Sequence, residues 1–199
     1  MTLSSVQLKQ SNGSALGDWS EVKKVEIRPK PGSDITKVVF AEFEWTAPEP
    51  KKVEPGKDDK TYLTLETASF NESFWHVLND KGVEGKPLSV GGKSYARGLG
   101  VHADSKINFS LDGKFSTFHV TPGPDDAHNG LLEMHILVDG KEVYASGKVR
   151  SAGFIAKPIT IPVKGAEELT LVVTDGGDGR GGDHACWACL LYTSPSPRD

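Results

Sequence analysis

The chain has 199 residues, 37% of them hydrophobic and 25% charged, with a formal net charge of −4 at pH 7. That length holds one well-cored domain, or one domain and a piece of another. The mild acidity argues against a nucleic-acid partner, which needs clustered Lys and Arg; the lack of an apolar run of about 18 residues argues against membrane insertion; and two cysteines make no disulfide framework.

Met1–Gln10 has neither a basic start nor an apolar segment and does not read as a signal peptide. Residues 1–45 hold two strand-like runs, Val22 to Ile27 and Ile35 to Trp45, with Pro29-Lys30-Pro31-Gly32 as a turn between them. Two strands alone are marginal in water, so this zone reads as the C-terminal fragment of a preceding β domain. Residues 46–61 combine Pro48, Pro50 and Pro55 with charges of both signs and no aromatic side chain. Such a segment buries too little to offset its ordering entropy, and is expected to be an extended, semi-stiff linker.

From Tyr62 onward the pattern changes to strict alternation. It is clear at Ile107, Phe109 and Leu111, then at Met134, Ile136 and Val138. It returns at Ile159, Ile161 and Val163, and at Leu169, Leu171 and Val173. Turn pairs fall between these runs: Gly91-Gly92, Asp112-Gly113, Asn129-Gly130, Asp139-Gly140, Lys164-Gly165 and Gly176-Gly177. The spacing predicts an all-β antiparallel β-sandwich over 62–188, with strands near 62–66, 105–111, 115–121, 131–138, 141–146, 158–163 and 168–174. Phe70 to Leu78 fits a helical face as well as a strand and is left open between them. Trp187 is expected to face the core. The last eleven residues, Cys189 to Asp199, show neither alternation nor a core role. They resemble the translation of a transposon-end adapter used in sequencing libraries and read as a non-native tail, expected to be poorly packed beyond its first few residues, although Leu190, Leu191 and Tyr192 are apolar enough to complete the strand interrupted at Ala188.

No HExxH, GxSxG, Walker loop or dinucleotide fingerprint occurs, so nothing supports a catalytic reading. Cys186-Trp187-Ala188-Cys189 has redox spacing but no βαβ context, and little weight as a redox or metal motif.

Three stretches carry a family resemblance. The first runs from Gly85 to Ile107 and includes Lys93-Ser94-Tyr95-Ala96-Arg97-Gly98-Leu99-Gly100-Val101-His102-Ala103. The second runs from Val138 to Ser146. The third is Asp183-His184-Ala185-Cys186-Trp187-Ala188, where Cys186 stands in place of the family's usual acidic residue. Together they resemble the NPCBM family (novel putative carbohydrate-binding module), a galactose-binding-like jelly roll. The resemblance implies non-catalytic carbohydrate binding, with galactosides among the expected ligands. It also implies covalently linked neighbouring domains in a secreted or cell-surface protein, and in some members a bound calcium. A protein-interaction sandwich, or an accessory fragment of a glycoside hydrolase, remain the alternative readings.

Sugar recognition needs an aromatic face against the pyranose C–H face and planar polar side chains for its hydroxyls. Trp75 and His76 precede Asn79-Asp80-Lys81-Gly82 in an expected loop, though Trp75 fits a core plug equally well. Arg97 and His102 flank Gly98-Leu99-Gly100, read as a turn that allows close backbone approach. These four are the expected carbohydrate contacts. Asp175, Asp178 and Asp183, in a Gly-rich stretch, are oxygen ligands suited to a structural calcium, against the plainer reading of a solvated turn. Asp125 and Asp126 form a second acidic pair with the same two readings.

Overall fold

The computed structural model describes residues 60–193. The expected fragment at 1–45, nearly all of the expected linker, and the last six residues lie outside them.

Thirteen strands occur in the described residues: β1 (Lys60–Tyr62), β2 (Phe70–Ser73), β3 (Leu78–Asn79), β4 (Leu88–Val90), β5 (Lys93–Tyr95), β6 (Gly98–His102), β7 (Ser105–Ser110), β8 (Thr117–Pro124), β9 (Glu133–Val138), β10 (Lys141–Ala145), β11 (Ile159–Pro162), β12 (Glu168–Thr174) and β13 (His184–Thr193). A single 3-10 turn, Leu65–Thr67, is their only helical element. One sheet has the order β11-β8-β13-β6-β3, with β1 also on β13; the other runs β10-β9-β12-β7-β2; β4 and β5 form a separate hairpin. The pairings are antiparallel; two of them, β4–β5 and β9–β10, are hairpins closed by the short turns at Gly91-Gly92 and Asp139-Gly140, and the others join strands distant in sequence.

The period-2 pattern becomes the core directly. Leu171 on β12 stands opposite Ile107 on one side and Ile136 on the other, and Leu169 opposite Phe109 and Val138. These rows pack against Leu99, Val101, Phe118, Val120, Ala185 and Trp187 of the facing sheet. Each fully buried large apolar side chain contributes about 1.5–3 kcal/mol. On the outer side of that sheet, Leu88, Val90, Ala156 and Cys186 make a second small cluster under the β4–β5 hairpin.

The structure departs from several expectations. The strand expected at 62–66 is β1 at 60–62, so Lys60 and Thr61, assigned above to the linker, pair with Thr193 and Tyr192. Phe70 to Leu78 is strand, loop and strand rather than helix. Gly98-Leu99-Gly100 is not a turn but the buried strand β6. A Cβ at Gly100 would lie 2.3 Å from the Lys81 carbonyl oxygen, so this glycine serves backbone packing, not ligand approach.

β13 also continues past Ala188, where the sequence shows no alternation. Its register against β8 shifts between Ala188 and Leu191, and Cys189 there has a φ of 55°. The extra residue of this bulge re-phases the strand. Ala185 and Trp187 before it, and Leu190 and Tyr192 after it, all reach the same core. Tyr192 stacks on Phe115 with ring centroids 4.7 Å apart.

Candidate functional site

Antiparallel pairing of β13 with β6 sets His184 directly opposite His102, with ring centroids 4.9 Å apart. Both imidazoles are buried. Loops from other parts of the chain converge on this pair. The β2–β3 loop brings Phe74, Trp75 and His76, the β3–β4 loop Glu84, and the β8–β9 loop His128. The β12–β13 loop brings Arg180 and Asp183. The Trp75 ring lies edge-on to His102 at 6.2 Å and to His184 at 6.1 Å, and 4.9 Å from His76. His128 packs on His184 at 3.8 Å. Arg180 lies over the Phe74 ring at 4.8 Å while donating two hydrogen bonds to Asp104 Oδ2, at 3.0 and 2.7 Å.

Trp75 is 55% exposed, whereas Trp187 is fully buried. The loop that presents Trp75 is tied down: the Phe74 N–H donates to the Asp104 carbonyl, and a His76 ring nitrogen bonds the Val83 carbonyl at 2.5 Å. His76 therefore anchors the loop and backs the Trp75 ring. His102 Nδ1 lies 2.6 Å from the Ala103 carbonyl and donates to it, which leaves Nε2 for a second partner.

Three buried polar groups of this cluster make no hydrogen bond: His184 Nδ1, both carboxylate oxygens of Asp183, and His128 Nε2, whose close neighbour is the Glu84 carboxylate at 3.2 Å. Burial, followed by the neighbouring His128 and His102, pushes the His184 pKa down to about 4. Burial, followed by Asp178 and Asp175, pushes the Asp183 carboxyl up to about 6. Gly130 closes over Asp183: a Cβ there would stand 2.0 Å from Asp183 Oδ1. At the rim, Lys86 and then His128 hold Glu84 below the ordinary carboxylate range.

Trp75, His76 and His102 are thus together. Arg97 is not among them. It precedes the opposite end of β6 from His102, about 16 Å away at strand spacing. There it pairs with Asp80 at 3.3 Å and lies over the Tyr62 ring at 5.5 Å. The three expected calcium ligands do not converge either. Asp175 Oδ1 accepts from Gly177 N–H in its own turn, Asp178 pairs with Arg150 at 2.7 Å, and only Asp183 is buried. Asp125 and Asp126 tie loops rather than forming a solvated turn: Asp125 is buried and accepts from Ala127 N–H, and Asp126 accepts from Gly92 N–H. Cys186 is buried, Cys189 exposed, and both thiols are free. Burial raises both thiol pKa values, opposite to what a reactive dithiol needs.

Sequence reasoning did not nominate His184, His128, Glu84, Phe74 or Arg180. His184 lies inside the quoted Asp183-to-Ala188 motif and His128 two residues after Asp126, so both were within sight. Only strand register and loop closure join them.

The sequence model of the NPCBM/NEW2 domain family matches residues 59–190. The chain belongs to this family. It shares 34% identity over 116 residues with a putative endo-alpha-N-acetylgalactosaminidase of Renibacterium salmoninarum. It also shares 34% over 119 residues with alpha-1,3-galactosidase B of Akkermansia muciniphila. Each match covers 57% of this chain but 8% and 15% of those two proteins, so the NPCBM chain spans a small part of either. Among solved structures, the CBM51 of a Clostridium perfringens GH95 in complex with methyl-galactose superposes with a TM-score of 0.63 at 26% identity. That match covers 67% of this chain and 99% of the other. A chain of Clostridium perfringens ZmpB holding its M60 catalytic domain and two CBM51 domains gives 0.64 at 31% identity, over 69% of this chain and 15% of that one. The NPCBM domain is accordingly a carbohydrate-binding β-sandwich of the galactose-binding-like type.

Proposed function

We propose that the module binds a galactose-type pyranose at the Trp75 end of the sandwich and catalyses nothing itself. The carrying observation is a half-exposed indole on an anchored loop, its ring centroid 6.2 and 6.1 Å from the two buried imidazoles of His102 and His184. A half-exposed indole suits the apolar C–H face of the sugar, and His102 Nε2 and the Arg180–Asp104 pair suit its hydroxyls. The galactose class rests on the methyl-galactose complex of the CBM51 relative and on the galactosidase and N-acetylgalactosaminidase names of the longer relatives. In a secreted or surface protein the module would hold a linked enzyme near its polymer, acting through effective concentration. Calorimetry of the full chain with methyl-galactoside tests this. Trp75→Ala is expected to weaken binding by about 1–3 kcal/mol, roughly tenfold or more. Unchanged affinity would remove the stacking role.

For calcium, the residues support a narrower reading than a three-aspartate cage. Asp183, buried with both oxygens unpartnered, is the carboxylate suited to a hard cation whose remaining ligands would be backbone carbonyls and water. Calcium would then stabilise the fold by offsetting the buried anion. Calcium is expected to raise the melting temperature over chelator, with the rise lost in Asp183→Asn and kept in Asp175→Asn. A rise that survives Asp183→Asn assigns the ion elsewhere.

A further inference from the structure

We propose that Glu84, His128 and His184 form a binding site for a borderline divalent metal ion, zinc being the natural probe. One ring nitrogen from each histidine and one Glu84 carboxylate oxygen lie within 4.8 Å of one another. His128 Nε2 and Glu84 Oε2 are already 3.2 Å apart. Zn–N and Zn–O bonds of about 2.0–2.2 Å in a tetrahedron set ligand–ligand edges of roughly 3.3–3.5 Å, so this pair needs almost no adjustment. The third ligand atom must close by an ångström or so, within reach of the loops that carry His128 and Glu84.

Several independent features converge. The three ligands come from three separate segments, each held in place. His184 is the first residue of β13, paired with His102. His128 N–H bonds the Asp125 carbonyl, and its own carbonyl accepts from the Ser151 hydroxyl. Glu84 sits in a turn closed by Gly82 N–H to the Lys86 carbonyl and Gly85 N–H to the Gly82 carbonyl. His184 is 5% exposed and its Nδ1 is unpartnered, so the cluster contains a buried imidazole that the protein itself does not satisfy. Two nitrogens and one carboxylate oxygen suit zinc far better than calcium, which takes oxygen ligands. Three protein ligands leave a fourth position for water or an incoming hydroxyl. Lys86, 3.0 Å from Glu84, is the competing cation that zinc must displace. The three ligands need no sugar, so the metal site stands or falls apart from the carbohydrate reading.

The test is calorimetric titration of zinc into the full chain, free of any histidine tag, near neutral pH and without sugar. One ion per chain is expected. Glu84→Gln and His128→Ala are each expected to weaken binding by at least the 10–100-fold that loss of an outer-shell partner costs. Glu84 is exposed and His128 half-buried, and matching melting curves would show that the variants fold. His135, flanked by Glu142 at 2.8 Å and Glu133 at 3.6 Å, is the rival surface cluster, so His135→Ala is the control and is expected to bind as the parent does. No saturable zinc binding, binding retained in the Glu84→Gln/His128→Ala double variant, or loss in His135→Ala overturns the assignment.

Discussion

The two ends of β6 carry nearly the same surface chemistry. At one end Arg97 lies over Tyr62 and pairs with Asp80; at the other Arg180 lies over Phe74 and pairs with Asp104. What lies behind each pair differs. At the Arg97 end, Asp80 also accepts from the Gly98 N–H, so its carboxylate is used on both oxygens. Behind Phe74 and Arg180 stand buried His184 and Asp183 with unpartnered atoms, and an indole left half in water. A cation over a ring with one ion pair is an ordinary surface device of small net energy. Buried polar atoms without partners cost free energy and also occur elsewhere, at Trp187 Nε1 and Tyr192 Oη; what sets the Trp75 end apart is that its unpartnered atoms belong to titratable side chains gathered beside a half-exposed indole.

The largest effect is expected from removing what both ends share. β13 runs past His102 at one end and Gly98 at the other, and Trp187, fully buried, pins it to the core. Trp187→Ala is expected to cost about 3–5 kcal/mol in denaturant unfolding, and to disturb both ends together. The next contrast is functional. Tyr62 is 45% exposed and aromatic like Trp75, so Tyr62→Ala is the matched control for Trp75→Ala. Methyl-galactoside affinity is expected to survive the first change and to fall about tenfold or more with the second. Equal losses would put sugar contacts at both ends. Smaller still is Arg97→Ala. Its ion pair is exposed, so about 0–1 kcal/mol of stability should be lost, with sugar affinity unchanged. A clear loss of affinity would return Arg97 to the site.

Which features were legible follows from how far apart their causes lie in the chain. The sandwich was legible because alternation such as Ile107-Phe109-Leu111 is local, and its partners repeat the same period. That Trp75, His76 and His102 come together rests on two segments, the Phe70–Leu78 region and the quoted Gly85–Ile107 stretch, and the structure gives His76 a loop-anchoring contact. Arg97 was misgrouped because five residues look close in sequence, yet along a strand they span about 16 Å. β13 beyond Ala188 was legible only as apolar side chains able to extend a strand; the bulge at Cys189 inverts the alternation and hides that Leu190 and Tyr192 are the ones facing the core. The pairing of His184 with His128 and Glu84 depends on the β8–β9 and β3–β4 loops closing on one strand end, which no local pattern encodes.

The smallest expected effect is a cancellation of pH dependences at the Trp75 end. Asp183, raised from 3.8 to about 6, faces Asp178, Asp175 and Asp104, with Arg150 opposing. His184, lowered from 6.5 to about 4, faces His128 and His102, with Glu84 and Asp125 opposing. Between pH about 6 and 4 the folded chain keeps an Asp183 proton that the unfolded chain releases, so acidification through that window stabilises the fold. Between 6.5 and about 4 the unfolded chain takes up a histidine proton that folded His184 refuses, so acidification there destabilises it. The two windows overlap with opposite signs, and the parent's stability should change little across them. Asp183→Asn removes the first contribution, so this variant should lose stability as the pH falls from 6.5 towards 4. It should also gain at neutral pH, where the parent holds an unpartnered buried anion. His184→Gln removes the second and should become more stable on acidification. Denaturant midpoints measured in chelator-treated buffer across that range separate the two. If both variants follow the parent's profile, neither group titrates differently in the folded and unfolded chain, and the burial described for this end is wrong.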